Sequence, residues 1–477
     1  MIDIVSIDLE SAEPTMTVEP LVTCGQLTLA LLPIGYTLPI VPEMDDLTVG
    51  GLVNGTGIES SSHRHGLFHE QCTAYEICLA DGSVVRASKD EHVELFHAIP
   101  WSYGTLGLLL SVTLRVTRCK PLVKLTYYPY TEKEAALAHF AQLSEAADAA
   151  PDFVETLAFS ATNYVVMKGE QVDKPDAQLG PMNSISLWYK PWFFKHVESK
   201  LHDAKPTVEF LPLRDYYHRH SRSMFWEMEL MLPIGTHPLA RFLFGWALPP
   251  KVSFLKLTQS EMTRRLTQQT HVAQDFMLPM DELPGILSLC DEVYDKLYPV
   301  WLCPHVHRPM PGTIMPDPPK PDHDGSQMYV DVGVCTRHSP PRRVHLSWST
   351  LASSGAHSPL LEHTRPSRHS VASLTYRTEL PIATDGLPSC VKASPEDPQI
   401  FDMRAAMRIV ESRLREIRGV EMLYADTYQT AEEFESMFPH AAYRALREKY
   451  GAVGVFPEVF SKMHVVTPDE CLPARSC

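Results

Sequence analysis

The sequence predicts an α+β protein of two consecutive units, and three observations carry that prediction. Strand-like alternation and a tight hairpin signal fill roughly the first 120 residues. Apolar residues then recur at helical spacing in 133–150 and 281–297, beside strand-like stretches such as "KLTYYPY". Both periodicities stop at Cys335 and resume near residue 399.

Taken in order, "TMTVEP" (15–20) alternates as a strand, and "VTCGQLTLALLPIG" (22–35) reads as a helix stopped by Gly35. "TAYEICLADGSVVRA" (73–87) is a β-hairpin turning on Asp81-Gly82, and "TLGLLLSVTLRVT" (105–117) is a buried strand behind the Gly104 and Gly107 hinge. Residues 1–120 are therefore expected to form one α+β unit. In residues 121–334, "KLTYYPY" (124–130) and "SISLWYKPWFF" (184–194) predict strands, while the two helical-period segments predict helices. Residues 335–398 mix Ser, Pro, His and Arg with neither period, which predicts a disordered insertion or untranslated sequence read as protein. Residues 399–463 return to the second unit: a helix over 403–417 ending at Gly419, a strand "VEMLYADTY" (420–428), and helices over 431–438 and 441–451. The tail, 464–477, predicts no structure.

With 477 residues the chain can bury sizeable cores without covalent staples. A formal charge of -16 argues against a nucleic-acid surface, which needs a clustered basic footprint. Ten cysteines lie scattered with no CxxC pair, which suits reduced thiols and no metal site. "MIDIVSIDLE" lacks a basic stretch followed by an apolar core, and no run of about eighteen apolar residues predicts a spanning helix.

The densest chemical signal is "TVGGLVNGTGIESSSHRHG", Thr48 to Gly66. Glycine lets backbone approach a ligand closely and lets successive amides point one way, as a phosphate cradle needs. The run contains no G-x-x-x-x-G-K-[ST] and no G-x-G-x-x-G opening a helix, so a P-loop or an ordinary Rossmann site is excluded. On the residues alone it divides evenly between a cradle and a series of tight turns. His63 and His65 are equally open, as acid/base groups or as exposed loop histidines.

Three stretches in this order, "PEMDDLTVGGLVNGTGIESSSHRHGLF", "YEICLADGSVVRAS" and "LFHAIPWSYGTLGLLLSVTLRV", resemble the FAD-binding PCMH-type domain of the vanillyl-alcohol-oxidase superfamily. Within it, "DYYHRHSRSMFWE", "LFGWALPPKVSFLKLTQ", "YPVWLCP", "EMLYADTY" and "FPEVF" resemble the Delta(24)-sterol reductases, also called 24-dehydrocholesterol reductase or Diminuto/Dwarf-like proteins. The resemblance implies that residues 1–120 are mainly the second lobe of an FAD-binding domain. Residues 121–334 and 399–463 would then form the substrate or cap domain. It implies FAD held along Thr48, Val49, Gly50, Gly51, Leu52, Val53, Asn54, Gly55, Thr56, Gly57, Ile58, Glu59 and Ser60, with Gly50, Gly51, Gly55 and Gly57 in closest approach. NADPH would reduce the flavin, which would deliver hydride to the side-chain double bond of a desmosterol-like sterol. The family's first lobe and membrane anchor would lie before Met1, and the location implied is the cytosolic face of the endoplasmic reticulum membrane.

The proton required at the other carbon is assigned by no motif. Candidates are Tyr189, Lys190, His196, Tyr216, Tyr217, His218, Arg219, His220 and Glu227, led by the phenols and histidines Tyr189, Tyr216, Tyr217, His218 and His220. Trp192, Phe193, Phe194, Phe225, Trp226 and Trp246 read either as a sterol slot or as core, and "YKPWFFK" with "FLFGWALPPK" also suits a surface dipping into lipid headgroups. Two alternatives stand beside the sterol reductase: a flavin-linked oxidase or dehydrogenase of another substrate, and a non-catalytic remnant.

Overall fold

The computed structural model describes residues 3–146, 149–247, 271–294, 297–337, 403–425 and 427–464. Alternation places the first strands as expected. β1 (Ile4–Asp8) and β2 (Thr15–Val18) pair antiparallel, with Met16 and Val18 inside. Helix α1 (Cys24–Leu31) starts where Thr23 and Gln26 cap each other reciprocally, and the chain leaves it through Gly35 at φ 77°. β3 (Tyr36–Thr37), α2 (Val49–Asn54) and α3 (Ser62–His65) follow, then the hairpin β4 (Cys72–Cys78) and β5 (Val84–Ser88). Its turn is closed by Ser83, whose backbone N–H and hydroxyl both donate to Asp81 Oδ1 (2.9 and 2.6 Å), with Gly82 at φ 85°. After α4 (Val93–Ala98), β6 (Leu108–Arg115) inserts centrally, giving a five-stranded antiparallel sheet in the order β1-β2-β6-β4-β5. β7 (Thr117–Arg118) pairs with β3.

A second sheet occupies the rest of the chain. β8 (Leu122–Tyr130), α5 (Lys133–Ser144), β9 (Phe153–Ala158), β10 (Tyr164–Val172), α6 (Phe193–Ser199), β11 (Thr207–Pro212), α7 (Leu213–Tyr217), α8 (Glu227–Met231) and α9 (Pro238–Phe244) come first. β12 (His271–Pro279), α10 (Leu283–Val293), β13 (Val300–His307), β14 (Gln327–Arg337), α11 (Met403–Glu416) and β15 (Val420–Glu421) follow. α12 (Ala431–Met437), α13 (Ala441–Lys449) and α14 (Val459–Met463) end the described chain. The strand order is β11-β8-β10-β9-β13-β14-β12-β15.

Two expected strands are corrected. Residues 184–192 form turns and Phe193 opens α6, because Pro191 removes a ladder donor and Phe193, Phe194 and Val197 are buried at helical spacing. "VEMLYADTY" contributes only Val420 and Glu421 to the sheet: the chain leaves the ladder after Met422, whose N–H donates to Asp275 O (2.9 Å). The expected insertion over 335–398 lies outside the described residues except for Cys335 to Arg337, which continue β14. The tail from 465 onward also lies outside them.

The faces of the long sheet differ. Phe276, Leu278, Leu302, Val330 and Val332 form an apolar face. By the two-residue alternation of strands, Glu155, Trp301, Cys303, Asp331 and Asp275 share the opposite face. That polar face meets the first unit: Val154 N–H donates to Ser60 O (2.8 Å), His63 Nε2 donates to Pro151 O (2.9 Å), and Arg64 pairs with Asp152 (2.7 Å).

Candidate active site

The glycine run builds one wall of a cleft. Thr48 caps α2 by accepting from Gly51 N–H (3.3 Å), and Val49, Leu52 and Val53 turn into the core. The other side of this short helix, with Gly51, Asn54 and Gly55, opens onto a cleft of about 560 Å³. Tyr103 and Gly104 from the second glycine hinge line it, together with Leu108, Leu423, Tyr424 and Lys462. The hinge is braced from α13: Arg447 Nη1 donates to Thr105 O (2.6 Å), and the Thr105 hydroxyl bonds Tyr443 (2.6 Å).

The run from Thr48 to Ser60 therefore divides. Thr48, Gly50, Gly51, Asn54, Gly55 and Thr56 line the cleft. Val49, Leu52, Val53 and Ile58 are core, Gly57 is a packing glycine whose Cβ would sit 2.8 Å from Leu52 Cδ2, and Glu59 and Ser60 face the second sheet. Gly50 is fixed by Pro20, 2.7 Å from where a Cβ would stand. A Cβ at Gly51 would meet only Thr48 Oγ1, at 3.1 Å, so its open side belongs to the cleft. Thr56 Oγ1 is buried and has no hydrogen-bond partner among the described residues. A bare glycine edge, an orphaned hydroxyl, a lysine ammonium and two tyrosine rings in one elongated cleft fit a ligand that combines a flat ring with an anionic chain, as FAD does.

Behind this wall sits a fully buried ion cluster. Arg219 Nε and Nη2 donate to Glu155 (2.9 and 2.8 Å), while Nη2 and Nη1 donate to Glu59 (2.6 and 3.2 Å). All three side chains are 0% exposed. Trp301 Nε1 adds a bond to Glu155 (2.9 Å), and the Tyr216 hydroxyl lies 3.0 Å from Ser60 Oγ. The cluster fastens the end of the glycine run to β9 and to the segment after α7.

None of the five leading proton-donor candidates lines the cleft. Tyr216 belongs to the ion cluster, and the Tyr217 hydroxyl accepts from Thr37 (3.0 Å). His218 Nε2 bonds the Thr28 hydroxyl (2.8 Å), and burial pushes its pKa down to about 3. His220, buried and stacked on Phe225 at 4.2 Å, is held neutral by desolvation beside Arg219. Tyr189 stands on the surface beside Trp188. Of the other candidates, Lys190 donates to Asn183 (2.9 Å), His196 pairs with Glu209 (2.9 Å), and Glu227 contacts Cys335. Trp192, Phe193, Phe194 and Trp226 are core aromatics, Phe225 is partly buried, and Trp246 is exposed.

A second acid cluster has no counterpart in the sequence-derived list. Asp331 is 0% exposed, and neither carboxylate oxygen has a hydrogen-bond partner among the described residues. Asp275 packs beside it, Oδ1 lying 3.0 Å from where a Gly333 Cβ would be; its backbone O accepts from Met422 N–H (2.9 Å), which brings the Tyr424 hydroxyl next to its carboxyl. Glu43 closes the group from the loop before α2. Burial pushes Asp275 up to about 6, Glu43 up to about 8, and Asp331 well above the usual carboxylate range. A single acid inside an otherwise apolar strand, as in "MYVDVGV" or "FVETLA", is the sequence signal that marks such groups.

A family model described as an FAD binding domain matches residues 1–88, which include α2 and the glycine wall of the cleft. The chain is 40% identical to the Delta(24)-sterol reductase of Homo sapiens, over 97% of this chain and 76% of that protein. The chain belongs to the Delta(24)-sterol reductase family. Similarity extends to the Delta(24)-sterol reductase of Arabidopsis thaliana (36% identity, 96% of this chain, 74% of that protein). It also extends to a Delta(24)-sterol reductase homolog of Caenorhabditis elegans (35%, 97%, 77%). These alignments cover nearly the whole chain, so they span the long sheet as well as the FAD-binding segment.

Proposed function

We propose that this chain is an FAD-dependent oxidoreductase that reduces the side-chain Delta(24) double bond of a desmosterol-like sterol, in sterol biosynthesis, with NADPH as the source of electrons. The cleft between the glycine wall and Tyr424 carries this proposal, supported by family membership. Thr48, Gly50, Gly51, Asn54, Gly55 and Thr56 would hold the FAD, with Tyr103, whose N–H donates to Asn54 O (2.8 Å), and Lys462 beside them. When bound, the flavin supplies a hydride to the alkene. The chain's own work is to orient the two partners face to face, to keep water out with Leu108, Leu423 and the tyrosine rings, and to supply a proton.

Residues 1–120 then act as the flavin lobe, and 121–334 with 399–463 as the substrate and cap domain. The sterol arrives from a bilayer, and an exposed apolar patch suits that origin. Ile234, Leu239, Leu243, Phe242 (63% exposed) and Trp246 (74%) project from α9 and its flanks, with Trp188 and Tyr189 alongside. A Cβ on Gly245 would stand 2.5 Å from Trp188 O, so the two segments lie against each other. We assign this patch to the headgroup layer on the cytosolic face of the endoplasmic reticulum. No helix among the described residues is long and apolar enough to cross a membrane.

Incubating the chain with FAD, NADPH and desmosterol tests the function. The expected product is heavier by two hydrogens. A preparation that binds FAD and oxidises NADPH but leaves the sterol unchanged would refute it.

A further inference from the structure

We propose that Tyr424 is the residue that protonates the alkene carbon, and that Asp275 and the buried Asp331 form the carboxyl pair behind it that restores its proton. This rests on the sterol-reductase function proposed above. Tyr424 keeps 59% of its surface open, and that surface lines the cleft opposite the glycine wall. Its hydroxyl reaches inward to the Asp275 carboxyl. Asp275 faces Gly333 across the β12–β14 ladder, and Asp331 is two residues along on the same face, so the two acids are diagonal neighbours. Both oxygens of Asp331 are unpartnered at 0% exposure, which costs least when the group carries a proton.

The chemistry needs such a pair. Reduction of a carbon–carbon double bond adds one hydride, carrying two electrons, and one proton. Here the Tyr424 O–H bond breaks, its electron pair stays on oxygen, and the alkene π pair forms the new C–H bond. A phenol is a weak acid. Transfer becomes favourable if Asp275 gives its own proton to the phenol oxygen in the same step, so that negative charge settles on a carboxylate and not on a phenolate. Asp331 then reloads Asp275, and solvent reloads the pair. Glu43, from the loop before α2, is the charged neighbour of Asp331 beside Asp275, and Glu43 itself feels Glu59 and Arg219.

Infrared spectroscopy of the full chain tests the path without relying on turnover. The expected spectrum near neutral pH contains carbonyl stretches of protonated carboxyls, including one band that is lost in Asp331→Asn while those of Glu43 and Glu411 remain. After transfer to D2O, this band shifts about tenfold or more slowly in Tyr424→Phe than in the unsubstituted chain, because the route to the cleft is cut. Tyr424→Phe should fold, since its ring is mostly exposed, and should lower sterol turnover roughly a hundredfold to ten-thousandfold with flavin affinity and KM held. Absence of the band, or equal exchange rates in the two proteins, overturns the relay. Exchange slowed as expected in a chain that reduces no Delta(24) sterol would sink the proposed function and leave the proton path standing.

Discussion

Replacing Arg219 with Met should loosen the glycine run from the long sheet, and the size of the effect follows from the ion cluster. The guanidinium makes four hydrogen bonds to Glu59 and Glu155, and all three side chains have zero exposure. Removing one partner from a buried ion pair costs about 3 to 5 kcal/mol. A stranded carboxylate escapes by taking up a proton, which costs about 1.4 kcal/mol per pH unit above its ordinary value, or roughly 3.5 kcal/mol at pH 7. Val154 N–H, bonded to Ser60 O at 2.8 Å, reports on this junction. Its hydrogen-exchange protection should fall by roughly two to four decades at pH 7, since each 1.4 kcal/mol is tenfold. The neutral form is the one the variant tolerates, so the loss should shrink as pH falls toward 5. Protection unchanged within about threefold, or a loss independent of pH, would refute the cluster as the fastener.

Gly51→Val should weaken FAD binding at least about tenfold, read by flavin fluorescence, with stability changed by less than about 1 kcal/mol, because its Cβ meets only Thr48. Gly57→Val should do the reverse and unfold the lobe, since its Cβ would stand 2.8 Å from Leu52 Cδ2 and 3.0 Å from Phe68 Cβ. Between about pH 6.5 and 8 stability should decline: Glu43 and Glu411, raised to about 8, hold protons in the folded state that the unfolded chain has already lost. Urea midpoints should track about 1.4 kcal/mol per pH unit per such carboxyl, and Glu43→Gln should flatten the slope. Below about pH 6.5, His63 and His65, lowered to about 4, stay neutral while the unfolded chain charges; this loss offsets the gain from Glu43 and Glu411, so the slope should flatten there. Phe242→Asp with Trp246→Asp should reduce sedimentation with phosphatidylcholine vesicles by about tenfold or more and leave flavin binding unchanged.

Local chemistry was legible in the sequence and long-range register was not. Gly35, Asp81-Gly82 and the apolar period of 133–150 each act within a few residues, so a helix ahead of Gly35, the hairpin and a helix from Lys133 appear, the last ending already at Ser144. "SISLWYKPWFF" misleads because aromatic density mimics a strand while Pro191 and the burial of Phe193, Phe194 and Val197 impose a turn and a helix. In the site, glycine content marked the cleft wall, but side-chain direction did not follow from it: Val49, Leu52 and Val53 lie in the same run and point to the core. Asp275 and Asp331 meet only through strand pairing, and Glu43 and Tyr424 reach them from loops, none of which a periodicity reports. Tyr424 was concealed within a strand predicted over 420–428, whereas the observed strand ends three residues before it.

The most direct measurement is an anaerobic mixing experiment. The flavin-loaded chain, reduced by NADPH and freed of excess nucleotide, is mixed with desmosterol while flavin absorbance and sterol mass are followed together. Flavin-dependent reduction at this cleft predicts that the oxidised flavin spectrum returns as one reduced sterol forms per flavin. A flavin that remains reduced beside unchanged desmosterol would contradict it.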